Sequence, residues 1–260
     1  MSRVAVDRGG VDVVAMGAGP DVVLLHTLLS DRSVWDGVAS GLARTRRVWL
    51  PNLPGFGGST RVGPRLEAYA EWLATLFDAL GWPPTTDVVA NGFGAHVALA
   101  LAVGHGARFR KLVLAGVAAA FPEAGRQAVR ALGEQVRREG ARAGADVAVR
   151  RTFTEAFIAA HPDLVADRMR RFAAFDAEGV ADACMALAVM DFRAALRGVR
   201  NPTLVVAGAL DPTTTPDLAR EVAAGIPGAR YVELPECAHC PPLEVPSRFL
   251  GLVTEFLAEA

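Results

Sequence analysis

The sequence is poor in cysteine, carries no excess of either charge and has no apolar run long enough to cross a membrane. Its three cysteines, an odd number in 260 residues, do not make a disulfide framework. Lys and Arg number 27 against 28 Asp and Glu, a net charge of −1 that argues against a nucleic-acid partner. The longest apolar run, residues 112–121, is about half of a membrane span, and the N-terminus has charges where a signal peptide would be apolar. We therefore expect a soluble, cytoplasmic protein with no membrane partner.

The most informative absence is a hydroxyl group in a turn that has the pattern of a nucleophile elbow. Residues 87–100 predict a buried strand, a sharp turn and then a helix. The elbow pattern G-x-S-x-G has serine at its third position. Here the five residues are Ala90-Asn91-Gly92-Phe93-Gly94. Gly92 therefore occupies the nucleophile position, where glycine suits the strained backbone but supplies no hydroxyl.

Short β-branched runs alternate with helical patterns, which predicts a mostly parallel, eight-stranded sheet with helices on both faces, an α/β fold. The predicted strands are residues 4–7, 11–16, 22–25, 47–50, 88–91, 112–115, 203–207 and 231–234. The predicted helices are residues 34–43, 66–80, 93–103, 216–224 and 246–258. Strand signals stop over residues 118–197, which predicts a helical cap over the carboxyl edge of the sheet. We expect a core in two parts, residues 1–117 and 198–260, on either side of that cap.

An acid and a histidine each follow a late predicted strand. Asp211 comes shortly after residues 203–207, and His239 comes shortly after residues 231–234. In a Ser-His-Asp triad the carboxylate fixes the imidazole tautomer, and the imidazole accepts and returns a proton near neutral pH. We predict that Asp211 and His239 form a catalytic pair.

The loop after residues 22–25 predicts an oxyanion hole. The backbone N–H groups of Leu28 and Phe93 correspond to the two donors used beside a nucleophile elbow. Such donors can stabilise an enolate or a hydroxide adduct even without a serine. The candidate contacts for a small-molecule substrate are His26, Leu29, Trp35, Met190 and Cys240.

The C-x-x-C pair formed by Cys237 and Cys240 has His239 inside it, which suggests a metal site. Zinc would need a fourth ligand and a second ligand cluster, and the sequence has neither, so we expect no metal and no cofactor. The imidazole beside Cys240 would lower the pKa of its thiol. We nevertheless expect Cys240→Ala to keep activity, because Cys240 lies on the far side of His239 from the elbow. The oligomeric state is not predicted.

The chain resembles the α/β-hydrolase superfamily and, within it, is most similar to 3-oxoadipate enol-lactonases. The residues that carry the resemblance are 26–36, 51–59, 202–211 and 238–244, with 157–162 and 190–193 in the cap. The resemblance implies that Asp211 and His239 are the acid and base of a triad whose serine position is Gly92. Two smaller departures are Thr27 in place of the usual Gly, and Asn52 in place of the usual Asp.

Four explanations of Gly92 are open at this point. His239 and Asp211 could activate a water, or a substrate proton, as a dyad. The protein could instead catalyse a non-hydrolytic step, such as cyclisation, isomerisation, decarboxylation or C–C cleavage. It could be a binding module without catalysis, or a lactonase whose serine was replaced by design. The family default predicts hydrolysis of a lactone, an ester or a related enolisable substrate by a route that avoids serine.

Overall fold

The structure is a computed structural model that describes residues 2–4, 10–28 and 30–259. These residues contain one β-sheet. Its eight strands run in the spatial order β1-β2-β4-β3-β5-β6-β7-β8. The pairs β1–β2 and β2–β4 are antiparallel, and all other neighbours are parallel. The strands are β1 Ser2–Val4, β2 Val13–Met16, β3 Asp21–Leu25, β4 Arg47–Pro51, β5 Asp87–Asn91, β6 Leu112–Ala115, β7 Thr203–Gly208 and β8 Arg230–Leu234. The predicted mostly parallel, eight-stranded sheet is confirmed.

The helices flank this sheet on both faces. They are α1 Asp36–Leu42, α2 Leu66–Leu80, α3 Phe93–His105, α4 Glu123–Glu139, α5 Ala145–Thr152, α6 Glu155–Ala160, α7 Pro162–Ala173, α8 Ala177–Val189, α9 Pro216–Gly225, α10 Pro241–Glu244 and α11 Pro246–Ala258. The helix predicted over residues 34–43 instead begins as a 3-10 turn, Arg32–Trp35, which Asp31 caps by accepting the Ser33 N–H. The strand predicted over residues 4–7 lies mostly outside the described residues, since β1 is described only to Val4.

Alternation along the central strands divides the core between the two faces of the sheet. Val88 and Ala90 of β5 belong to the cluster that includes α2 and α3, whereas Val89 belongs to the cluster that includes α1 and α11. Helix α3 is buried along residues 93–102, which is typical of a central helix rather than a surface helix. Gly92 is the single residue between β5 and α3, so it lies at the carboxyl edge of the middle of the sheet.

Five helices, α4 to α8, lie between β6 and β7 in the chain. The segment is closed at its base, because Ala120 and Asp191 form a β-bridge and the Phe192 N–H donates to the Ala119 carbonyl at 2.8 Å. Gly179 of α8 packs against Gly55, and a Cβ added to Gly179 would lie 2.8 Å from the Gly55 Cα. The helical segment is therefore fixed to the loop that follows β4. Across the described part of the chain, no helix is both long and apolar enough to span a membrane.

Candidate active site

The turn between β5 and α3 has the backbone of a nucleophile elbow. Gly92 has φ 56° and ψ −119°, a conformation that L side chains rarely adopt. Its N–H donates to the Ala115 carbonyl at 2.8 Å, and its carbonyl accepts the N–H of Ala95 at 2.9 Å. The preceding residue, Asn91, donates from Nδ2 to the His239 carbonyl at 2.9 Å. The elbow is thus tied directly to the loop that carries the histidine.

Asp211 and His239 lie side by side at the carboxyl ends of β7 and β8. His239 Nδ1 is 2.8 Å from Asp211 Oδ2, and the carboxylate is fully buried. Asp211 Oδ1 accepts the backbone N–H groups of Thr213 and Thr214 at 2.7 and 3.0 Å, and Oδ2 accepts the Thr214 hydroxyl at 2.6 Å. These donors hold the carboxylate in one orientation, so the second imidazole nitrogen, Nε2, is directed away from Asp211. The predicted juxtaposition of the two residues is present.

The charges of the pair shift both titrations towards the ion pair. Burial on its own would lower the pKa of His239, but the charge of Asp211 and its hydrogen bond raise that pKa above 6.5. Burial likewise opposes ionisation of Asp211, but His239 and the Thr214 hydroxyl lower the pKa of its carboxyl group below 3.8. His239 is therefore a stronger base than an ordinary histidine.

A second histidine beside the elbow has a structural role. His96 Nε2 accepts the Ala118 N–H at 3.2 Å, so its proton is on Nδ1, which donates to the Gly92 carbonyl at 2.8 Å. Burial lowers the pKa of His96 to about 4, which keeps this ring neutral. The ring therefore joins the turn at Gly92 to the start of the helical segment.

The space beside Gly92 is occupied by Thr27 from the loop after β3. A Cβ added to Gly92 would overlap Thr27 Oγ1, and would lie 2.8 Å from both Thr27 Cβ and His239 Nε2. Real Cβ atoms essentially never approach other atoms that closely. The Thr27 carbonyl accepts from His26 Nδ1 at 2.9 Å and from the Ser30 N–H at 3.3 Å, which fixes this loop. A serine at position 92 would therefore require Thr27 to move.

Two backbone N–H groups border the same space. Within the described ranges, no hydrogen bond joins the N–H of Leu28 or of Phe93 to another residue. Both residues line a cavity of about 40 Å³ together with Gly92 and His239, here called the dyad cavity. The remaining lining residues are Thr27, His96, Phe121, Val129, Leu132, Arg151, Leu187, Thr213 and Thr214. The cavity has room for water, and the helical segment contributes Val129, Leu132 and Leu187 to its apolar wall.

The other sequence-predicted contacts are distributed unevenly. Cys240 and Thr27 line a second, smaller cavity on the other side of the loop. His26 does not line either cavity, because one ring nitrogen donates to Thr27 and the other accepts the Leu53 N–H at 2.9 Å. Trp35 is fully buried against Phe249, and Leu29 lies outside the described residues.

Two further predictions of the sequence need correction. Met190 lines a different groove, with Phe192 and Arg65, and does not reach the dyad cavity. The pKa of the Cys240 thiol is raised, not lowered, because burial and the nearby Glu244 carboxylate both disfavour the thiolate. In the described part of the chain, no group of three or more His, Cys, Asp or Glu could hold a metal ion.

In the sequence, Thr27 stands out only as a departure from a family pattern. One signal could have found its role: the loop after β3 has a larger residue than usual at position 27, and the elbow has a smaller one than usual at position 92. Nothing in the local pattern of either segment indicates that the two residues touch.

Comparisons with known proteins show the family to which the chain belongs. A family model described as "alpha/beta hydrolase fold" matches residues 20–246, which include every residue of the dyad cavity. The 3-oxoadipate enol-lactonase 2 of Acinetobacter baylyi is 33% identical over 198 residues, covering 75% of this chain and 73% of that protein. A pimeloyl-[acyl-carrier protein] methyl ester esterase of Aromatoleum aromaticum is 31% identical over 261 residues, covering 91% and 97% of the two chains.

A solved structure gives the same result at the level of the fold. The enol-lactonase from Burkholderia xenovorans LB400 superposes with a TM-score of 0.92 at 29% identity, over 99% of this chain and 100% of that one. The resemblance inferred from the sequence is thereby confirmed. The chain belongs to the α/β-hydrolase family and is a hydrolase-like enzyme related to enol-lactonases and esterases.

Proposed function

We propose that this enzyme hydrolyses a small lactone or ester with His239 and Asp211 as its proton-transfer pair and without a serine at position 92. The observation that carries the proposal is the 2.8 Å contact between His239 Nδ1 and Asp211 Oδ2, with His239 Nε2 directed into the cavity beside Gly92. Two unused backbone donors, the N–H groups of Leu28 and Phe93, border that cavity. Base and oxyanion hole are the parts of an acyl-transfer site that remain when the serine is absent.

In the proposed mechanism, the attacking O–H group belongs to a water molecule or to a side chain other than residue 92. His239 Nε2 accepts its proton. Asp211 keeps the other imidazole proton on Nδ1 and stabilises the imidazolium that forms. The substrate carbonyl oxygen becomes negative as the tetrahedral intermediate forms, and the N–H groups of Leu28 and Phe93 donate to it. The imidazolium then returns its proton to the leaving oxygen.

The burial of Asp211 supports retained chemistry. A buried carboxylate is costly unless hydrogen bonds compensate it, and three donors from Thr213 and Thr214 serve that purpose here. A protein that only bound a ligand in this cavity would gain nothing from an ionised residue behind the imidazole. The names of the two sequence relatives, a lactonase and a methyl ester esterase, point to the same class of substrate.

We further propose that residues 118–197 act as a cap and select the substrate, with residues 1–117 and 198–260 as the core. Helices α4 and α8 supply Val129, Leu132 and Leu187 to the cavity wall. Arg151, at the end of α5, is the cation that lines the cavity. These walls favour a small, mostly apolar acyl group.

The test is hydrolysis of an enol-lactone and of simple aryl esters by the protein and by His239→Ala. We expect His239→Ala to lower kcat/KM by at least about 10²-fold, since a positioned base contributes that much or more. His105→Ala is the matched control, because His105 pairs with Glu71 on the surface and lines neither cavity. Equal turnover by His239→Ala would refute the proposal. If the protein and both variants are inert, hydrolysis is excluded for these substrates and a non-hydrolytic reaction takes its place.

A further inference from the structure

Resting on this proposed hydrolysis, we propose that Thr27 supplies the nucleophilic hydroxyl that position 92 lacks. The attacking group would then come from the loop after β3 rather than from the elbow between β5 and α3. Thr27 is a sequence neighbour of the proposed oxyanion donor Leu28, and its side chain lies beside Gly92 in the wall of the same cavity.

The position of the hydroxyl carries the proposal. The point where a Cβ of residue 92 would lie is overlapped by Thr27 Oγ1 and is 2.8 Å from His239 Nε2. A serine hydroxyl at the elbow would be one covalent bond from that same point. Thr27 Oγ1 and the imidazole base therefore border the small volume in which an elbow serine would act. No hydrogen bond joins Thr27 Oγ1 to His239 Nε2 among the described residues, and catalytic hydrogen bonds are often long in apo structures and shorten only when substrate binds.

The Thr27 hydroxyl has no structural task among the described residues. Its carbonyl accepts from His26 and Ser30, but no hydrogen bond from Thr27 Oγ1 to another described residue is present. Thr27 also lines both the dyad cavity and the smaller cavity beyond it. The Thr27 hydroxyl therefore has no hydrogen-bond partner among the described residues and lies in the wall of a cavity that His239 also lines. Such a hydroxyl is available for reaction.

The oxyanion donors fit a nucleophile at position 27. In an elbow enzyme one donor is the N–H of the residue after the nucleophile, and the other comes from the β3 loop. With Thr27 as nucleophile the roles exchange: Leu28 becomes the residue after the nucleophile, and Phe93 becomes the donor from the other loop. Both N–H groups stay in use. Threonine hydroxyls serve as nucleophiles when a base activates them.

The bonds and protons balance without any further reagent. Thr27 Oγ1 bonds to the acyl carbon while its proton moves to His239 Nε2, and the carbonyl π pair moves to the oxygen held by the two N–H groups. Collapse breaks the bond to the leaving oxygen, which takes the proton from His239. Water then attacks the acyl-threonine, gives a proton to His239, and releases the acid as Thr27 recovers its proton.

The test compares Thr27→Val and Thr27→Ser with the unchanged protein. Valine keeps the shape of threonine and removes only the hydroxyl, which bonds to no described residue, so we expect the fold to survive with a similar melting temperature. We expect Thr27→Val to lose about 10³-fold or more in kcat on an aryl ester, and Thr27→Ser to retain turnover. Ser30→Ala is the matched control, because it removes a hydroxyl from the same loop.

The decisive readout is covalent labelling. An aryl fluorophosphonate should modify one residue of the unchanged protein, and peptide mass spectrometry should place the adduct on Thr27. The adduct should persist in Ser30→Ala and be absent from Thr27→Val. Full turnover by Thr27→Val, or loss of turnover with no adduct on Thr27, would overturn the inference. In either case a deficient His239→Ala would leave the proposed function standing with water as the nucleophile.

Discussion

Gly92→Ser on its own should not create a serine hydrolase, although it restores the family motif. The new Cβ would overlap Thr27 Oγ1 and would lie 2.8 Å from Thr27 Cβ and from His239 Nε2. Serine must also adopt the φ of 56° that glycine now has. The substitution therefore combines overpacking with a strained backbone, in a place where the surrounding loops are held by hydrogen bonds.

The expected loss of stability is of the order of 2–5 kcal/mol. Inserting an extra group into a packed site costs about 1–3 kcal/mol, and a left-handed backbone costs a residue with a side chain roughly 1–2 kcal/mol. For a chain of this size each kcal/mol lowers the melting temperature by about 2–4 °C. We therefore expect Gly92→Ser to melt on the order of 4–20 °C below the unchanged protein.

Changes at Thr27 should relieve the clash in two steps. Thr27→Ala removes Oγ1 but keeps the Cβ at 2.8 Å, so Thr27→Ala/Gly92→Ser should recover only part of the stability. Thr27→Gly also removes that Cβ, so Thr27→Gly/Gly92→Ser should recover the part of the loss that comes from Thr27 and keep the backbone strain and the 2.8 Å approach to His239 Nε2. Residues in contact usually couple by about 0.5–3 kcal/mol, and here we expect the double-mutant cycle to give the upper part of that range.

Thermal unfolding and ester hydrolysis test this reasoning. Both are measured on the unchanged protein, on Gly92→Ser, Thr27→Ala and Thr27→Gly, and on the two double variants. The serine hydroxyl should be reactive in Thr27→Gly/Gly92→Ser, because the Thr27 side chain then no longer fills the space beside His239 Nε2. Thr27→Gly alone should be inactive, since it has no hydroxyl at either position. The reasoning is refuted if Gly92→Ser melts with the unchanged protein, or if the effects of the two positions simply add.

Three further predictions concern the dyad and the attachment of the helical segment. The acid limb of kcat/KM should have its midpoint above pH 6.5, because Asp211 raises the pKa of His239 and only the neutral imidazole can accept a proton. Asp211→Asn should lower that midpoint and reduce kcat by about 10⁴-fold, as loss of the orienting carboxylate does in serine proteases; an unchanged pH profile would contradict the assigned pair. Because the pKa of His239 is raised in the folded state, its protonation should stabilise the fold fully below pH 6.5. This stabilisation should disappear as the pH rises through the pKa of the folded state. Urea unfolding at several pH values should show this dependence in the unchanged protein and not in Asp211→Asn. Gly179→Ala should destabilise the protein by about 1–3 kcal/mol, because the new methyl group would lie 2.8 Å from the Gly55 Cα, whereas Gly251→Ala, with no atom within 4 Å, should stabilise α11 by about 0.5–1 kcal/mol.

Local patterns in the sequence predicted the sheet, the approximate bounds of five of the eleven helices and the pairing of Asp211 with His239. The strand over residues 112–115 and the helices over residues 66–80 and 246–258 have the bounds expected from β-branched runs and from apolar periodicity. Asp211 and His239 could be paired from the sequence because each follows a parallel strand. The carboxyl ends of parallel strands share one edge of a sheet, so order along the chain was enough to bring the two side chains together.

Only the tertiary structure showed what occupies the place of the missing serine. Thr27 and Gly92 lie 65 positions apart in the chain, on loops that meet because β3 and β5 are neighbours in the sheet. The tertiary structure also showed that His26 supports the loop through two hydrogen bonds and does not line the dyad cavity. It placed Met190 in a different groove. Periodicity reports which face of an element is buried, but contacts between loops depend on strand order and on the space that one side chain leaves for another. The sequence by itself therefore determined the fold and the pairing of Asp211 with His239, and only the packing of Thr27 against Gly92 showed which side chain fills the place of the missing serine.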